Sequence, residues 1–100
     1  MKHTLIFTEH SEQDYVNLDG SQKKHVLKSL IKIENNGINA GKPLHGILWD
    51  CRKIKHKKLG LRVIFRQIDF TFEIIEIVVI GKREDDEVYE TAIKRLARIN

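Results

Sequence analysis

Residues 74–80 constrain the fold of this chain more than any other segment. Their sequence is Ile-Ile-Glu-Ile-Val-Val-Ile, so that six of the seven side chains are apolar and β-branched. Side chains alternate between the two faces of a strand, and such a run is therefore buried only if other elements pack on both faces of the sheet. The segment predicts a central strand that is covered on each side.

Short connections place two further strands next to this one. Strands are predicted over residues 48–55, 61–69 and 72–81, joined through residues 56–60 and 69–71. Such tight turns favour antiparallel neighbours, because a parallel crossover needs a dozen or more residues. Residues 3–8 are mostly β-branched or apolar and predict another strand at the beginning of the chain.

Three helices are predicted around this sheet. A short helix follows Ser11 as its cap and ends at Asp19-Gly20. A second helix covers about 21–35, and a third covers about 85–98, with acidic residues near its beginning and basic residues near its end. The residues expected to face the core are Leu27, Leu30, Ile31, Glu34, Val26 and Ile33 in the second helix, and Val88, Ala92, Ile93 and Leu96 in the third. Residues 39–46 are expected to be a loop.

The predicted order is therefore β-α-α-β-β-β-α, a single α+β domain over residues 1–100 with helices packed on a curved antiparallel sheet. One hundred residues, of which 41% are hydrophobic, can bury one core but not two. No apolar run approaches the roughly 20 residues that span a bilayer, and the amino end lacks a long apolar signal segment, so we expect a cytoplasmic protein with no membrane partner. Cys51 is the only cysteine and is expected to be a small buried side chain rather than a nucleophile or a metal ligand.

Basic residues are concentrated in the middle of the chain. Residues 42–66 contain eight Lys or Arg side chains against Asp50 alone, although the net charge of the whole chain is only +4. A cluster drawn from two adjacent strands would focus positive potential on one surface, as phosphate-backbone binding requires. The alternative is an ordinary solvated surface.

Lys53 and Lys55 lie two residues apart and so point to the same face of a strand. If the hairpin register places Lys55 opposite Arg62, all three cations share that face. Their repulsion would cost stability, which suggests that a bound anion completes the arrangement. Side chains that simply spread into solvent would be equally compatible with the spacing.

Several ordered motifs resemble the RelE-type toxins of toxin–antitoxin systems. They are residues 51–55, 60–69, 81–84 and 87–96, and the loop at 42–46 and the leading β-α-α layout suit the same family. The resemblance implies a RelE/microbial-RNase-like fold. It also implies cleavage of messenger RNA in the ribosomal A site, with the 2′-hydroxyl attacking the adjacent phosphate and with no metal or organic cofactor.

The catalytic set that this resemblance implies consists of Lys53, Lys55, Arg62, Arg83 and Tyr89. Lys55 is the expected base, and repulsion from Lys53 and Arg62 would lower its pKa. Those two cations would also stabilise the phosphorane-like transition state, while Arg83 would stabilise it further or donate a proton. Tyr89 would stack on a base or orient the hydroxyl, unless it simply packs between helix and sheet.

Further basic residues are expected to contact RNA or the ribosome. They are Lys42, His45, Arg52, His56, Lys57, Lys58, Arg66 and Lys82. Histidine is the usual acid–base residue of metal-free ribonucleases, so an essential His56 would replace the lysine mechanism.

Two other functions share the same sequence features. The ParE branch of the superfamily inhibits DNA gyrase by binding, although a binding protein has no chemical reason to assemble this catalytic set. A catalytically inactive RNA- or ribosome-binding module is the third possibility. The expected partners are the ribosome with mRNA in its A site and a cognate antitoxin that covers the basic surface or displaces the last helix.

Overall fold

A computed structural model, which describes residues 2–82 and 87–98, shows one five-stranded sheet with helices on both faces over those residues. The strands lie in the order β1-β5-β4-β3-β2. Their bounds are Thr4–Phe7 (β1), Lys42–Pro43 (β2), Cys51–His56 (β3), Leu61–Asp69 (β4) and Ile74–Lys82 (β5). The helices are Glu9–Val16 (α1), Gly20–Asn36 (α2) and Glu87–Arg95 (α3), with 3-10 turns at Gly37–Ala40, Gly46–Leu48 and Lys57–Leu59.

Strand β5 lies between β1 and β4 and is buried on both faces, which confirms the prediction from its apolar run. On one face, residues such as Ile75 and Ile77 pack with Val26 of α2. On the other face, Val78 packs with Ala92 of α3. The chain therefore builds an apolar cluster on each side of a single sheet.

The α+β fold class is confirmed, but the sheet is mixed rather than wholly antiparallel. β1 pairs with β5 in parallel, with Thr4 opposite Ile74. The two strands are separated by most of the chain, which is more than a parallel crossover requires, and turn lengths between neighbouring strands carry no information on such a pair. The predicted loop at 39–46 also contains a two-residue strand, β2, which pairs with Arg52 and Lys53.

The first two helices begin earlier than predicted. Thr8, not Ser11, is the N-cap of α1, and Ser11 is the third residue of a capping box in which its amide donates to the Thr8 hydroxyl at 3.0 Å. Asp19 caps α2 in the same way, with Gln22 as the third residue. A capping box uses two polar residues three positions apart, and either one resembles a cap in isolation.

The buried face of α2 differs from the predicted stripe. Val26, Leu30 and Ile33 are buried, whereas Leu27 and Ile31 are 47% and 49% exposed. Two apolar rows run side by side along this helix, and the sequence does not show which of them faces the sheet. The exposed pair leaves an apolar strip on the outer surface of α2.

The last helix and the cysteine behave largely as expected. Val88 and Ala92 are buried, and Ile93 and Leu96 pack at the edge of the same cluster. Cys51 is fully buried, and desolvation, followed by the nearby Asp50 carboxylate, raises its thiol pKa to about 12. Residues 85 and 86 of the predicted helix lie outside the described residues. Within residues 2–82 and 87–98, no helix has the length and apolar character to cross a bilayer.

One carboxylate connects three elements of the fold. Asp14 of α1 accepts two hydrogen bonds from the Arg95 guanidinium of α3, at 2.6 and 2.9 Å, and a third from the Ile80 amide of β5 at 3.0 Å. Arg95 also donates to the Val78 carbonyl at 2.9 Å. Asp14 therefore holds α3 against the sheet and satisfies a backbone group of the central strand.

Replacing Asp14 with alanine is expected to lower the free energy of unfolding by about 1–3 kcal/mol. The substitution leaves a mostly buried guanidinium and a mostly buried amide without their acceptor. Urea denaturation followed by circular dichroism measures the change. Glu12→Ala, on the exposed surface of the same helix, is the control, and equal losses in the two variants would contradict the role given to Asp14.

Candidate active site on the α3 face of the sheet

The register of two strand pairs brings four cations to one face of the sheet. Lys55 of β3 lies opposite Arg62 of β4, which confirms the register expected from the sequence. Lys42 of β2 lies opposite Lys53 of β3. Because opposed residues share a face, Lys42, Lys53, Lys55 and Arg62 form one group, which we call the cationic cluster.

Tyr89 of α3 lies over this cluster. Its hydroxyl accepts a hydrogen bond from the Lys53 ammonium at 3.3 Å, and the same nitrogen is 5.5 Å from the centre of the ring. The Arg62 guanidinium carbon is 5.7 Å from that centre. Tyr89 also packs at the edge of the apolar cluster beneath α3. Tyr89 therefore packs between helix and sheet and also contacts the cations. Its ring contributes cation–π attraction to two of the four cations.

Arg62 is the most unusual member of the cluster. The side chain is only 8% exposed, and its Nε and Nη1 atoms are buried without a hydrogen-bond partner among the residues that the structure describes. A buried cation with unmet donors costs folding free energy. The planar guanidinium is well suited to paired hydrogen bonds with phosphate oxygens, so a bound phosphate would satisfy these donors.

Lys55 is exposed to solvent, and its neighbours lower its pKa. Repulsion from Lys53 is the largest cause, followed by repulsion from Arg62. Desolvation, Lys42 and Lys57 act in the same direction. A larger fraction of Lys55 is therefore neutral near pH 7 than for an isolated lysine, which is the direction that a general base requires.

Arg83, the fifth predicted catalytic residue, lies outside the described residues. The structure brings the other four together: Lys53 and Lys55 on β3, Arg62 on β4, and Tyr89 above them on α3. Lys82, predicted to contact RNA, is the last residue of β5 and is exposed.

The other predicted RNA contacts fall into two groups. Lys42, His45, Lys57 and Lys58 are exposed around the cluster or its flanking turns. Arg52 and Arg66, by contrast, are engaged within the protein. Arg52 donates to the Gly41 carbonyl at 3.4 Å, and Arg66 pairs with Glu76 at 3.0 Å and with Asp50 at 3.7 Å.

These contacts change the charge balance that the sequence suggested. Glu76 comes from β5, outside the basic segment, and reaches Arg66 because the two are paired across β4 and β5. Asp50 also receives two hydrogen bonds from Arg98, which hold the pKa of its carboxyl below the usual range. The positive charge that is not paired with a carboxylate among the described residues is therefore concentrated where β3 ends and β4 begins, at the cationic cluster.

His56 faces away from the cationic cluster. It follows Lys55 in β3, and its ring nitrogen Nε2 lies 2.5 Å from the Ser29 hydroxyl of α2, on the other side of the sheet. Burial, and secondarily the nearby His25, lowers the pKa of His56. The His56 ring is thus engaged in a contact with Ser29, although the residue also lines a small pocket with Lys55 and Arg62.

This contact predicts a pH dependence of stability. Because the pKa of His56 is lower in the folded chain than the ordinary value of about 6.5, the unfolded chain binds a proton first as the pH falls. The free energy of unfolding should therefore decrease below about pH 6.5, and His56→Gln should flatten this part of the curve. Urea titrations over a pH series test it, with His10→Gln on the exposed surface of α1 as control. An unchanged pH dependence in His56→Gln would show that another group is responsible.

Sequence reasoning missed Lys32. It lies on α2 and lines a groove beside the cationic cluster, together with Lys42 and Lys57. Its spacing from Lys24 and Lys28 is typical of a solvated helix surface, so nothing in the sequence marked it. Only the packing of α2 against the edge of β3 shows its position.

Comparison with known proteins gives a consistent assignment. No family model matches the chain. The mRNA interferase toxin RelE of Escherichia coli K12 is 33% identical over 97 residues, which are 96% of this chain and 99% of the relative. The mRNA interferase RelE of Shigella flexneri shows the same values.

Solved structures agree with this result. A doubly substituted variant of the E. coli toxin RelE in its free state has a TM-score of 0.78 and 29% identity, covering 96% of this chain and 99% of the other. The same variant in complex with an antitoxin RelBc peptide has a TM-score of 0.71 and 30% identity, covering 95% and 98%. The architecture is thus that of the small α+β toxins. The chain belongs to the RelE family, as its sequence motifs predicted.

Proposed function

We propose that this protein is the toxin of a type II toxin–antitoxin system and acts as a ribosome-dependent mRNA endonuclease that cuts in the A site. The observation that carries the proposal is Arg62, a nearly buried guanidinium beside Lys53 and Lys55 whose Nε and Nη1 atoms have no hydrogen-bond partner among residues 2–82 and 87–98. Its relatives are named as mRNA interferases. An RNA phosphate supplies the acceptors that the guanidinium lacks.

The proposed reaction is an intramolecular transesterification at one phosphodiester of the RNA. The neutral amine of Lys55 removes the proton of a 2′-hydroxyl, and the resulting oxygen attacks the adjacent phosphorus. As the new 2′-oxygen–phosphorus bond forms, the bond to the 5′-oxygen of the next nucleotide breaks, and that oxygen takes up a proton from Arg83 or from solvent, leaving a 2′,3′-cyclic phosphate and a 5′-hydroxyl. Lys53 and Arg62 stabilise the additional negative charge on the phosphoryl oxygens, and this stabilisation is worth most where water is excluded.

Two roles in this mechanism depend on the family resemblance. From its position in the motif alone, we propose that Arg83 either stabilises the transition state or protonates the leaving 5′-oxygen. An arginine is a weak acid because its pKa exceeds about 12, so stabilisation of charge is the role that its chemistry favours. Tyr89 holds the Lys53 ammonium in place, and we propose that its ring stacks on a nucleotide base when RNA is bound.

The exposed basic residues around the cluster support a nucleic-acid surface of larger extent. Lys42 within the cluster and Lys57 and Lys58 beside it are exposed to solvent, and we propose that they contact further phosphates. We propose that they, with His45 and Lys82, contact the ribosome and mRNA. Arg52 and Arg66 contribute less, since their guanidinium groups already have partners.

We also propose a cognate antitoxin as the protein partner. The related E. coli toxin has been solved in an intact RelBE complex and with an antitoxin peptide. An acidic or amphipathic segment suits the cationic cluster and would block it from RNA. Growth should stop when the toxin is expressed alone and recover when the neighbouring small gene is expressed with it.

The deciding experiment maps mRNA cuts by primer extension. Purified protein is added in parallel to ribosomes stalled on a defined message and to the naked message. Cuts on ribosomes only are the expected result. Cuts in neither, together with loss of gyrase supercoiling, would overturn the proposal in favour of the ParE-type activity, and ribosome binding without cuts would favour an inactive binding module.

A further inference from the structure

A second basic surface lies at the outer edge of β3. Strand β2 pairs with only two residues of β3, so beyond Lys53 the edge of β3 faces the end of the Gly37–Ala40 turn and helix α2 instead of another strand. A groove of about 300 Å³ lies there. Ile54 and Lys55 form part of one wall, and Lys32 and Ala40 form part of the other.

The lining of this groove is strongly and uniformly positive. Of the residues that the structure describes, its lining contains five lysines and no acidic residue: Lys32, Lys42, Lys53, Lys55 and Lys57. Among residues 2–82 and 87–98, none of these ammonium groups forms a salt bridge, whereas Arg66, Arg95 and Arg98 elsewhere in the fold do. The groove therefore concentrates positive charge that the protein itself does not neutralise.

The position of β2 gives the groove a firm wall. Gly41 lies so close to the sheet that a Cβ atom there would be 2.7 Å from the Lys53 carbonyl oxygen and 2.8 Å from the Phe65 ring. Only glycine permits this approach. Lys42, the next residue, is consequently fixed at the boundary between the groove and the cationic cluster.

We propose that this groove binds a second RNA phosphodiester, with Lys32 as the ligand that belongs to it alone, Lys57 lying beside both surfaces, and Lys42, Lys53 and Lys55 shared with the cationic cluster. The inference rests on the proposed function, because the shared lysines make the groove continuous with the cleavage site. RNA carries a phosphate at every nucleotide, so a strand held at Arg62 has further phosphates to place. An acidic peptide fits less well, since only Ala40 and Ile54 offer apolar anchors among the lining side chains.

The phosphate can come from the message or from ribosomal RNA, and two binding measurements separate these sources. The first uses a short single-stranded RNA that is 2′-O-methylated throughout and so cannot be cut, followed by fluorescence anisotropy. The second uses ribosomes without mRNA, followed by sedimentation. Lys32→Ala is compared in both with Lys28→Ala, which removes the same charge one turn away on the exposed surface of α2 and outside the groove.

We expect Lys32→Ala to weaken binding about fivefold in one of the two measurements, and Lys28→Ala to leave it unchanged. If the ligand is the single strand, the slope of log affinity against log salt should also decrease in magnitude by about 0.7, the value for one phosphate contact. Lys32→Arg should restore binding, because it keeps the charge. Matched melting temperatures show that the variants are folded.

Equal effects of Lys32→Ala and Lys28→Ala would overturn the inference, because they would indicate a general loss of charge. Weaker binding of the antitoxin alone, with RNA and ribosome binding intact, would overturn it too. These measurements need no cleavage. Absence of mRNA cuts by the unsubstituted protein therefore argues against the proposed function. Whether the groove binds RNA is decided separately, by the comparison of Lys32→Ala with Lys28→Ala.

Discussion

Lys55→Ala is expected to lower the rate of mRNA cleavage on ribosomes about 10²- to 10⁴-fold, the usual contribution of a general base. The substitution removes the amine that we propose as the base for the 2′-hydroxyl, but it leaves Arg62 and Lys53, the proposed phosphate ligands, in place. The loss should therefore fall on the single-turnover rate rather than on binding. Primer extension over a time course measures it. Lys24→Ala, an exposed lysine on α2, is the matched control and should cut at the unsubstituted rate.

The pH profile of cleavage tests the proposal that Lys55 is the base. Cleavage should rise with pH as this ammonium loses its proton, and it should reach its plateau below the ordinary lysine pKa, because Lys53 and Arg62 lower the pKa of Lys55. Lys53→Met removes the largest of these repulsions and should move the profile toward higher pH. Full activity of Lys55→Ala, or an equal loss in His56→Gln with an unchanged fold, would point to a histidine mechanism instead.

Arg62→Met is expected to lower cleavage about 10²- to 10³-fold while raising the free energy of unfolding by about 1–3 kcal/mol. Methionine fills much of the same space without a charge. It removes a nearly buried cation whose Nε and Nη1 atoms lack partners in the described parts of the chain, and with it the repulsion against Lys53 and Lys55. The same change deletes the guanidinium that we propose stabilises the transition state.

Two measurements on the same variants test this opposition between stability and activity. Urea denaturation gives the unfolding free energy, and single-turnover cleavage gives the rate. Arg95→Met is the comparison for stability, since Arg95 is similarly shielded but has its carboxylate partner in Asp14, and it should destabilise the fold. If Arg62→Met destabilises as much as Arg95→Met, Arg62 has a structural partner and the argument from unmet donors is wrong.

Local patterns in the sequence were sufficient to predict the two β-hairpins and the cationic cluster. The short predicted connection at residues 56–60, of which 57–60 lie between β3 and β4 in the structure, left few registers, and the alternation of Lys53, Ile54 and Lys55 showed which side chains share a face. Strand β1 could not be oriented in the same way. Its partner β5 lies nearly 70 residues further along the chain, with Thr4 opposite Ile74, and no short-range signal specifies such a pair.

The site was predicted less completely than the fold because charge depends on partners that are distant in sequence. Arg66 was counted as a free cation, but Glu76 neutralises it across β4 and β5. Lys32 was not noticed, because a helix lysine has the same pattern whether it faces solvent or a groove. The burial of Arg62 beneath Tyr89 depends on where α3 packs. The spacing of residues along the strands does not predict the position of that helix.

The contact between Asp14 and Arg95 has a consequence for how a partner can detach α3. Breaking it would leave a guanidinium and a carboxylate, both mostly buried, without their ionic partners, so that an incoming carboxylate would restore the partner of Arg95 but not that of Asp14. Tyr89 belongs to the same helix and would leave the cations together with Arg95. A partner that displaces α3 would therefore have to supply an acceptor for Arg95, and it would also remove the aromatic cover from Lys53 and Arg62.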